Sequence, residues 1–254
     1  MGERLSRRRL LALGTAGAGG LMLSGCDRLN ASPAFRGLLE SAEGAHQASQ
    51  RLLGGGALAP EFTPRDLSPH CRANGSRTAA DNAEWARHAA SGFAQWALRV
   101  DGLVLRPLDL TLDALKALPQ RTQITRHDCV EGWSAIGQWT GPQLGPILKA
   151  AGLLPAARFI VFHCADSFGA DPYYESIDLM DAFHPQTILA HAMNGAPLAV
   201  AHGAPLRLRV ERQLGYKHAK FVTRIEARAS LAGLHGGKGG FWEDRADYAW
   251  YAGI

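Results

Sequence analysis

The chain has 254 residues, of which 46% are hydrophobic and 20% are charged, so it can bury the core of a globular protein and is not intrinsically disordered. Its formal net charge of +4 comes largely from residues 1–25, which carry four arginines and one glutamate; without them the net charge is +1. The charge therefore gives no support to nucleic-acid binding, which needs a basic surface on the folded part.

The first 25 residues are typical of an export signal. Three arginines at residues 7–9 precede an apolar run rich in Gly and Ala that is too short to span a bilayer. Paired arginines beside such a run indicate the twin-arginine route. The run ends in Leu-Ser-Gly-Cys at residues 23–26, which resembles a bacterial lipobox. We therefore expect a twin-arginine lipoprotein signal over residues 1–25 and a lipid anchor at Cys26. The expected location is the periplasm or the outer face of the bacterial inner membrane. The alternative is an ordinary signal peptide with a chance Cys.

Residues 26–60 are predicted to form a tether and one helix that ends at the glycines 54–56. Residues 61–92 are rich in Pro, Asn, Gly and Ser, and this composition predicts a long irregular segment. Such segments in compact domains are often functional. We therefore place the main domain at residues 61–254.

Strands dominate the rest of the chain. Apolar and polar residues alternate around Leu98 and Val100, and Thr111 can cap a short helix that Pro119 closes. The predicted elements are a strand pair over 96–110 with a turn at 101–102, a helix over 112–118, a strand over 121–126, a helix over 143–151, a strand over 159–162, a hairpin over 188–201 with its turn at 194–195, and strands over 206–210 and 221–227. Many strands with two or three helices predict an α+β fold with mixed sheets.

Three short motifs occur in a characteristic order. They are TRHDCVEGWS at residues 125–134, HGAPLRL at 202–208 and GYKHAK at 215–220. Their order and spacing resemble the molybdopterin-dependent oxidoreductase domain of the sulfite oxidase superfamily. The branch they resemble most is that of the periplasmic molybdenum-containing methionine sulfoxide reductases. The resemblance covers roughly residues 60–228 and implies a sulfite-oxidase-type molybdopterin-binding fold.

The resemblance implies one molybdenum–molybdopterin (Mo-pyranopterin) cofactor per chain, with Cys129 as the only protein ligand of the metal. An anionic, polarisable thiolate donates electron density to such a metal, and its surroundings tune the reduction potential. The alternative is a buried core thiol, the usual fate of a free Cys. The position of Cys129 after a strand, among charged neighbours, argues against that alternative. Glu131 is assigned to the catalytic site with Cys129.

The cofactor carries a phosphate, which cationic side chains and backbone amides can hold. The resemblance implies cofactor contacts from His70, Arg72, Cys164, His202, Arg207, Lys217, His218, Ala219 and Lys220. The position of His202 is commonly Asn in the reductase branch, so its contact can differ. Arg209, by contrast, is expected on the solvent face of its strand.

Two other cysteines depart from the family pattern. Cys71 stands where an aromatic residue is common, and Cys164 lies near the position of a cofactor-binding Thr. Cys164 could contact the cofactor, or it could form a disulfide with Cys71, which export would permit. The sequence leaves both alternatives open.

The function that the resemblance implies is oxygen-atom transfer on a small-molecule substrate. Sulfite oxidases carry arginines just after the ligand Cys, whereas residues 130–133 here are Val-Glu-Gly-Trp, which favours a neutral substrate such as a sulfoxide. Sulfite-like oxidation of a small anion is the alternative. The sequence has no Cys-x-x-Cys-His haem motif, so we expect a separate electron-transfer partner such as a membrane cytochrome.

Two alternatives come from other classes. One is a lipoprotein binding module that keeps the fold without turnover. The other is a thiol–disulfide protein that uses Cys71, Cys129 and Cys164. Metal analysis separates these hypotheses, because only the molybdenum enzyme would carry about one molybdenum atom per chain.

Overall fold

The computed structural model describes residue 29 and residues 31–254. The predicted signal peptide and Cys26 lie outside the described residues. In the described part, no helix is both long enough and apolar enough to cross a membrane. The chain divides into two compact units, Met1–Gly55 and Gly56–Ile254.

The described part of the first unit is mainly one helix. Helix α1 covers Pro33–Gly54 and begins with a proline, whose fixed φ suits a first helical position. Gly55 follows with a φ of 30°, a region that favours glycine. The predicted helix and its glycine-rich end are therefore confirmed.

The second unit contains eleven strands and five α-helices. The strands are β1 Ala97–Gly102, β2 Leu108–Thr111, β3 Gln120–Cys129, β4 Trp133–Pro142, β5 Phe159–Phe168, β6 Asp171–Asp178, β7 Ile188–Ala190, β8 Ala192–Met193, β9 Ala196–Pro197, β10 Arg207–Arg209 and β11 Val222–Arg228. The helices are α2 Ala83–Ala90, α3 Leu112–Ala117, α4 Leu144–Ala151, α5 Leu179–Ala182 and α6 Phe241–Ala246, with 3-10 turns at Pro64–Asp66, Val200–His202 and Gly215–Lys217.

The largest sheet has the strand order β2-β1-β11-β5-β6. β1 pairs with β11 in parallel, and the other pairs are antiparallel. Apolar side chains of this sheet and of α4 form the main core, in which Leu98, Ile160 and Ile225 are wholly buried. The hydrophobic effect of this burial holds the unit together.

A second sheet, of order β3-β4-β8-β9, carries the first motif. β3 and β4 form a long hairpin in which Cys129 pairs with Trp133. Gly132 has a φ of 85°, so the tight turn needs a glycine there. β7 and β10 form a separate antiparallel pair. The hairpin thus brings Cys129 to the end of a rigid strand.

Several predictions of local structure were wrong or incomplete. No strand was predicted at β4, and the helices α5 and α6 were not predicted. The segment 61–92 is not irregular throughout, because it contains α2, whose first backbone amides donate to the side chain of Asn82. The strand predicted over 159–162 extends to Phe168 and is followed by β6, for which no strand was predicted. Residues 173–177 of β6 are all buried, and they include Glu175 and Ser176, so the strand lacks the alternation that marks a half-exposed one.

Candidate active site

The structure contains a cavity of about 400 Å³ at the end of the β3–β4 hairpin. Its walls come from the hairpin end, the loop around residues 71–76, the β5–β6 hairpin at residues 166–173, Met193 of β8, the segment 201–207, the turn at 215–220 and the C-terminal region around α6. All three motifs of the sequence therefore meet at one concave site. Concave sites with convergent polar groups are where ligands bind.

Cys129 is the last residue of β3, and its free, half-buried thiol lines the cavity. The side-chain amide of Asn74 donates to Cys129 Sγ at 3.4 Å. Glu131 and Trp133 line the same end, and the Trp133 indole donates to Glu131 Oε2 at 3.3 Å. The predicted pair Cys129 and Glu131 thus faces the cavity together. Asn74 lies 55 residues earlier, in a segment where the resemblance implies cofactor contacts, but the sequence analysis did not single it out.

Arg207 lines the cavity and is only 6% exposed. It donates to the carbonyl oxygens of His202 at 3.1 Å and His218 at 3.3 Å, and its Nε has no hydrogen-bond partner. No carboxylate of the described residues forms an ion pair with it. Burial, together with the nearby Arg209 charge, lowers the pKa of Arg207 to about 9. A buried cation without a counter-ion suits an anionic ligand.

Lys220 supplies a second cation at this wall. Its ammonium donates to the carbonyl oxygens of Asn74 at 2.6 Å, of Ala201 at 3.3 Å and of Ser76, and so ties the third motif to the 71–76 loop and to the segment 201–207. Burial, reinforced by Arg207, lowers its pKa to about 8. The Arg207 charge therefore disfavours the charged form of Lys220, which Asp166 stabilises in part.

Asp166 lines the cavity near Lys220 and was not predicted from the sequence. Its side chain accepts a hydrogen bond from the Ser76 hydroxyl, while its Oδ1 is buried without a partner. Burial raises the pKa of this carboxyl to about 6, although Ser76 and Lys220 lower it.

Three other predicted residues line the cavity. His218 is 4% exposed, its Nε2 lies 3.0 Å from the Gln213 carbonyl oxygen, and its Nδ1 has no partner. Burial keeps the pKa of His218 well below its ordinary value, so this ring is neutral, and its Nδ1 can accept a hydrogen bond from a ligand because Nε2 donates to Gln213. His202 is half-buried, and Arg72 lies at the exposed edge with its guanidinium 5.6 Å from the Trp133 ring centre.

The structure does not bring four predicted residues to the cavity wall: His70, Cys164, Lys217 and Ala219. His70 is exposed, and Ala219 is wholly buried. Lys217 is also wholly buried, and its ammonium lies between Glu243 and Glu175, with the latter contact at 2.6 Å. Those carboxylates, rather than a phosphate, neutralise Lys217.

Two further expectations have clear outcomes. Cys71, Cys129 and Cys164 are all free, so the structure does not contain the disulfide that the sequence left open.

The expectation that Arg209 faces solvent was wrong, because Arg209 is wholly buried. All three residues of β10 are covered, and Glu211 pairs with the Arg209 guanidinium at 2.8 Å. Arg209 also reaches His127 Nδ1 at 3.0 Å and therefore supports the hairpin.

The last wall of the cavity is aromatic, and sequence reasoning missed it. Its members are Phe168, Tyr173, Tyr216, Trp242 and Tyr248. Gly215 lets this wall approach the hairpin, because a Cβ there would come within 2.6 Å of the His127 ring.

This site defines a class of protein. A free thiol faces a cavity that is also lined by the buried Arg207, whose Nε has no partner, by the part-buried Lys220 and by His218, whose Nδ1 has no partner. This donor set fits an anionic cofactor that carries a thiophilic metal, with the thiolate as ligand and the cations on the phosphate.

Comparisons with known proteins identify the family. Residues 84–232, more than half of the chain, match the family described as "oxidoreductase molybdopterin binding domain". The chain belongs to this family. The predicted superfamily, the α+β fold class and molybdopterin as the cofactor are therefore confirmed.

Curated relatives carry related names. A "putative protein-methionine-sulfoxide reductase subunit YedZ1" from Azospira oryzae is 42% identical over 63% of this chain and 56% of its own length. A "protein-methionine-sulfoxide reductase catalytic subunit MsrP" from Xanthomonas campestris is 35% identical over 52% of this chain and 45% of its own length. The chain spans about half the length of these relatives.

A solved structure shares the fold. The sulfane dehydrogenase SoxCD from Paracoccus pantotrophus aligns with a TM-score of 0.50 and 22% identity, over 69% of this chain and 46% of that chain. At this identity the likeness concerns the fold alone.

Proposed function

We propose that this chain is a molybdenum enzyme that removes the oxygen atom from a small sulfoxide. The reaction takes up two electrons and two protons and yields the sulfide and water. When bound, the molybdenum cofactor supplies the two-electron centre at which the oxygen atom is exchanged. The single observation that carries the proposal is the free thiol of Cys129 at the wall of a cavity that also contains the uncompensated Arg207.

Within this proposal, Cys129 is the metal ligand, and Arg207 and Lys220 hold the phosphate end of the cofactor. Asn74 orients the Cys129 sulfur by its hydrogen bond of 3.4 Å, a contact that tunes how strongly a thiolate donates. His202 and His218 line the cavity beside Arg207 and can contact the cofactor rings. Contacts of His70, Cys164, Lys217 and Ala219 with the cofactor remain predictions from the resemblance.

The preference for a sulfoxide over a small anion is supported by the end of the cavity around Cys129. Glu131 adds a carboxylate there, and residues 130–133 include no cation, although Arg72 lies over the Trp133 ring at the exposed edge. A negatively charged group beside the reacting centre disfavours an anionic substrate such as sulfite. Two relatives are named for methionine sulfoxide, which is consistent with this choice.

Location and partners complete the proposal. The arginines at residues 7–9 and Cys26 support export and lipid anchoring at the bacterial envelope. Electrons would come from a separate partner such as a membrane cytochrome. The relatives are named as subunits, which is consistent with a partner protein.

Substitution of Cys129 by Ser tests the proposal. The hydroxyl is a hard and poorly acidic ligand, so we expect sulfoxide reduction with a chemical electron donor to fall by at least about a hundredfold. The phosphate contacts are retained, so pterin can stay bound. Steady-state kinetics and molybdenum analysis of the purified protein provide the measurement.

Cys71→Ser is the matched control, because Cys71 also lines the cavity and is also a free thiol. We expect it to have a much smaller effect. Wild-type turnover by Cys129→Ser would refute the proposal. A wild-type protein that carries molybdenum and oxidises sulfite, but reduces no sulfoxide, would favour the alternative substrate class.

A further inference from the structure

The C-terminal region contributes to the cavity although it lies outside the family match. That match ends at residue 232, whereas Trp242 on α6 and Tyr248 beyond it both line the cavity. This part of the wall is therefore supplied by a segment that the general family pattern does not include. Walls of this kind are where related enzymes differ in substrate preference.

Buried contacts fix this segment against the domain. Lys217 and Glu243 form a wholly buried ion pair, and Glu175 of β6 joins them at 2.6 Å from the Lys217 ammonium. Glu243 directly follows Trp242 in the sequence, so the ion pair holds the indole in position. The Tyr216 hydroxyl donates to the Ala249 carbonyl oxygen at 2.6 Å, which holds the chain next to Tyr248.

The rings form a continuous apolar surface. Trp242 and Tyr248 are stacked, with centres 6.0 Å apart and an angle of 27° between the planes. Tyr216 meets Tyr248 edge to face at 5.0 Å, and Phe168 meets Trp242 in the same way at 5.4 Å. Both Trp242 and Tyr248 remain partly exposed to the cavity.

The cations of this segment are already paired. Arg245 contacts Asp171 at 2.8 Å, and Lys238 contacts Asp247. The surface offered to a ligand is therefore aromatic rather than basic. Aromatic rings favour contact with alkyl groups.

We propose that Trp242 and Tyr248 are specificity-determining residues that bind the alkyl chain beside the sulfoxide of a thioether-derived substrate, such as the side chain of methionine sulfoxide. This inference rests on the proposed sulfoxide reduction. It assigns the C-terminal segment to substrate binding, and it gives Lys217 a positioning role through Glu243.

The test compares two sulfoxides with the cofactor-loaded enzyme and a chemical electron donor. Methionine sulfoxide carries an alkyl chain that can reach the wall, whereas dimethyl sulfoxide does not. For Trp242→Leu we expect the KM for methionine sulfoxide to rise about three- to tenfold, because the alkyl chain loses its contacts with the indole ring. The kcat should stay within about twofold, and the KM for dimethyl sulfoxide should change less.

Trp250→Leu is the matched control. Trp250 belongs to the same segment, but its indole packs on Phe159 and donates to the Ser176 hydroxyl at 2.8 Å, away from the cavity lining. We expect its KM values to match those of the wild type. Molybdenum and pterin content, measured for each variant, separates a substrate effect from loss of cofactor. If Trp242→Leu does not fold, Tyr248→Leu provides the same comparison.

The outcomes are distinguishable. An unchanged KM for methionine sulfoxide in both wall variants overturns the inference, and so does an equal rise in KM for both sulfoxides. A rise confined to methionine sulfoxide supports it. A wild-type enzyme that carries molybdenum and reduces neither sulfoxide overturns the proposed function itself, and the inference with it.

Discussion

At the scale of single residues, the cavity is organised by Arg207, which forms no ion pair with a carboxylate of the described residues, and by Lys220, whose charge Asp166 offsets only in part. Arg207 is buried with an unpartnered Nε, and its pKa falls to about 9. Lys220 bonds only to carbonyl oxygens, and its pKa falls to about 8. Both shifts show that the charged forms are poorly stabilised before a ligand binds. A bound phosphate anion stabilises these charged forms. Because it binds only the folded protein, its binding also raises the free energy of unfolding.

Arg207→Ala and Lys220→Ala should therefore retain less pterin. Each removes a charge-assisted hydrogen bond worth about 1.5–3 kcal/mol, which corresponds to roughly ten- to a hundredfold in affinity. Pterin and molybdenum content of the purified variants gives the measurement, with circular dichroism as a check on folding. Arg99→Ala is the control, since Arg99 lies on β1 and pairs with Asp109. Full cofactor content in both variants would count against the assignment.

Asp166 should make the stability of the cofactor-free protein depend on pH. Its pKa is about 6 in the folded protein, against an ordinary value of 3.8, because burial disfavours the carboxylate. The folded state holds the proton more tightly, so this contribution to stability is fully present below pH 3.8 and is lost as the pH rises through 6. The contribution of Asp166 to the free energy of unfolding therefore changes by about 3 kcal/mol across this pH range.

Denaturant unfolding between pH 4.5 and 7.5 measures this effect. Asp166→Asn should remove this part of the pH dependence and be more stable than the wild type near pH 7. Asp171→Asn, at an exposed carboxyl that pairs with Arg245, should leave the pH profile unchanged. An identical profile for Asp166→Asn and the wild type would show that Asp166 does not titrate in this range.

At the scale of elements, several local signals were predicted correctly, whereas the Asn82 cap of α2 and the strand β6 were missed. Thr111 caps α3 by accepting a hydrogen bond from the Ala114 amide, and Gly152 ends α4 with a φ of 71°. Each of these helix ends is set by residues within one turn of the helix, so the local sequence predicts it. β6 was missed because both of its faces are covered by parts of the chain far away in sequence.

The candidate site also combines residues that the sequence predicted with residues that it did not. The motifs placed Cys129, Arg207 and Lys220 at one cavity, because a family resemblance carries information about tertiary structure that composition lacks. Asp166 and Ser76 are 90 residues apart, and Lys217 and Glu243 are 26 apart. Such partners depend on how strands and the C-terminal segment pack, so neither Asp166 nor the neutralisation of Lys217 could be read from spacing.

The packing of β4 against β7 depends on Gly141. A Cβ at this position would overlap the carbonyl group of Leu189, which is backbone and cannot move aside like a side chain. We expect Gly141→Ala to lower the free energy of unfolding by about 3 kcal/mol or more. Gly137→Ala on the same strand meets only the Met193 and Trp139 side chains at 3.3 Å, so it should cost less. Equal stability of the two variants in denaturant would contradict this account.

At the scale of the whole molecule, the proposed cofactor and the proposed export route constrain each other. The cavity is assembled from segments between residues 71 and 248, so the cofactor can be held only by the folded domain. Cofactor insertion in the cytoplasm would then require the protein to cross the membrane folded, and the twin-arginine route transports folded proteins. The signal at residues 1–25 and the cavity thus support one proposal from independent parts of the chain.

This link makes a prediction for export. Replacement of Arg7 and Arg8 together by Lys keeps the positive charge but removes the arginine pair that the twin-arginine route requires. The protein should then accumulate in the cytoplasm with its molybdenum already bound, as fractionation and metal analysis would show. Arg4→Lys, outside the arginine run, is the matched control and should be exported normally. Cys26→Ala should be exported but should lose labelling by fatty acid. If the double variant reached the envelope in wild-type amount, the chain would have to cross unfolded, and the cofactor would have to be inserted after export.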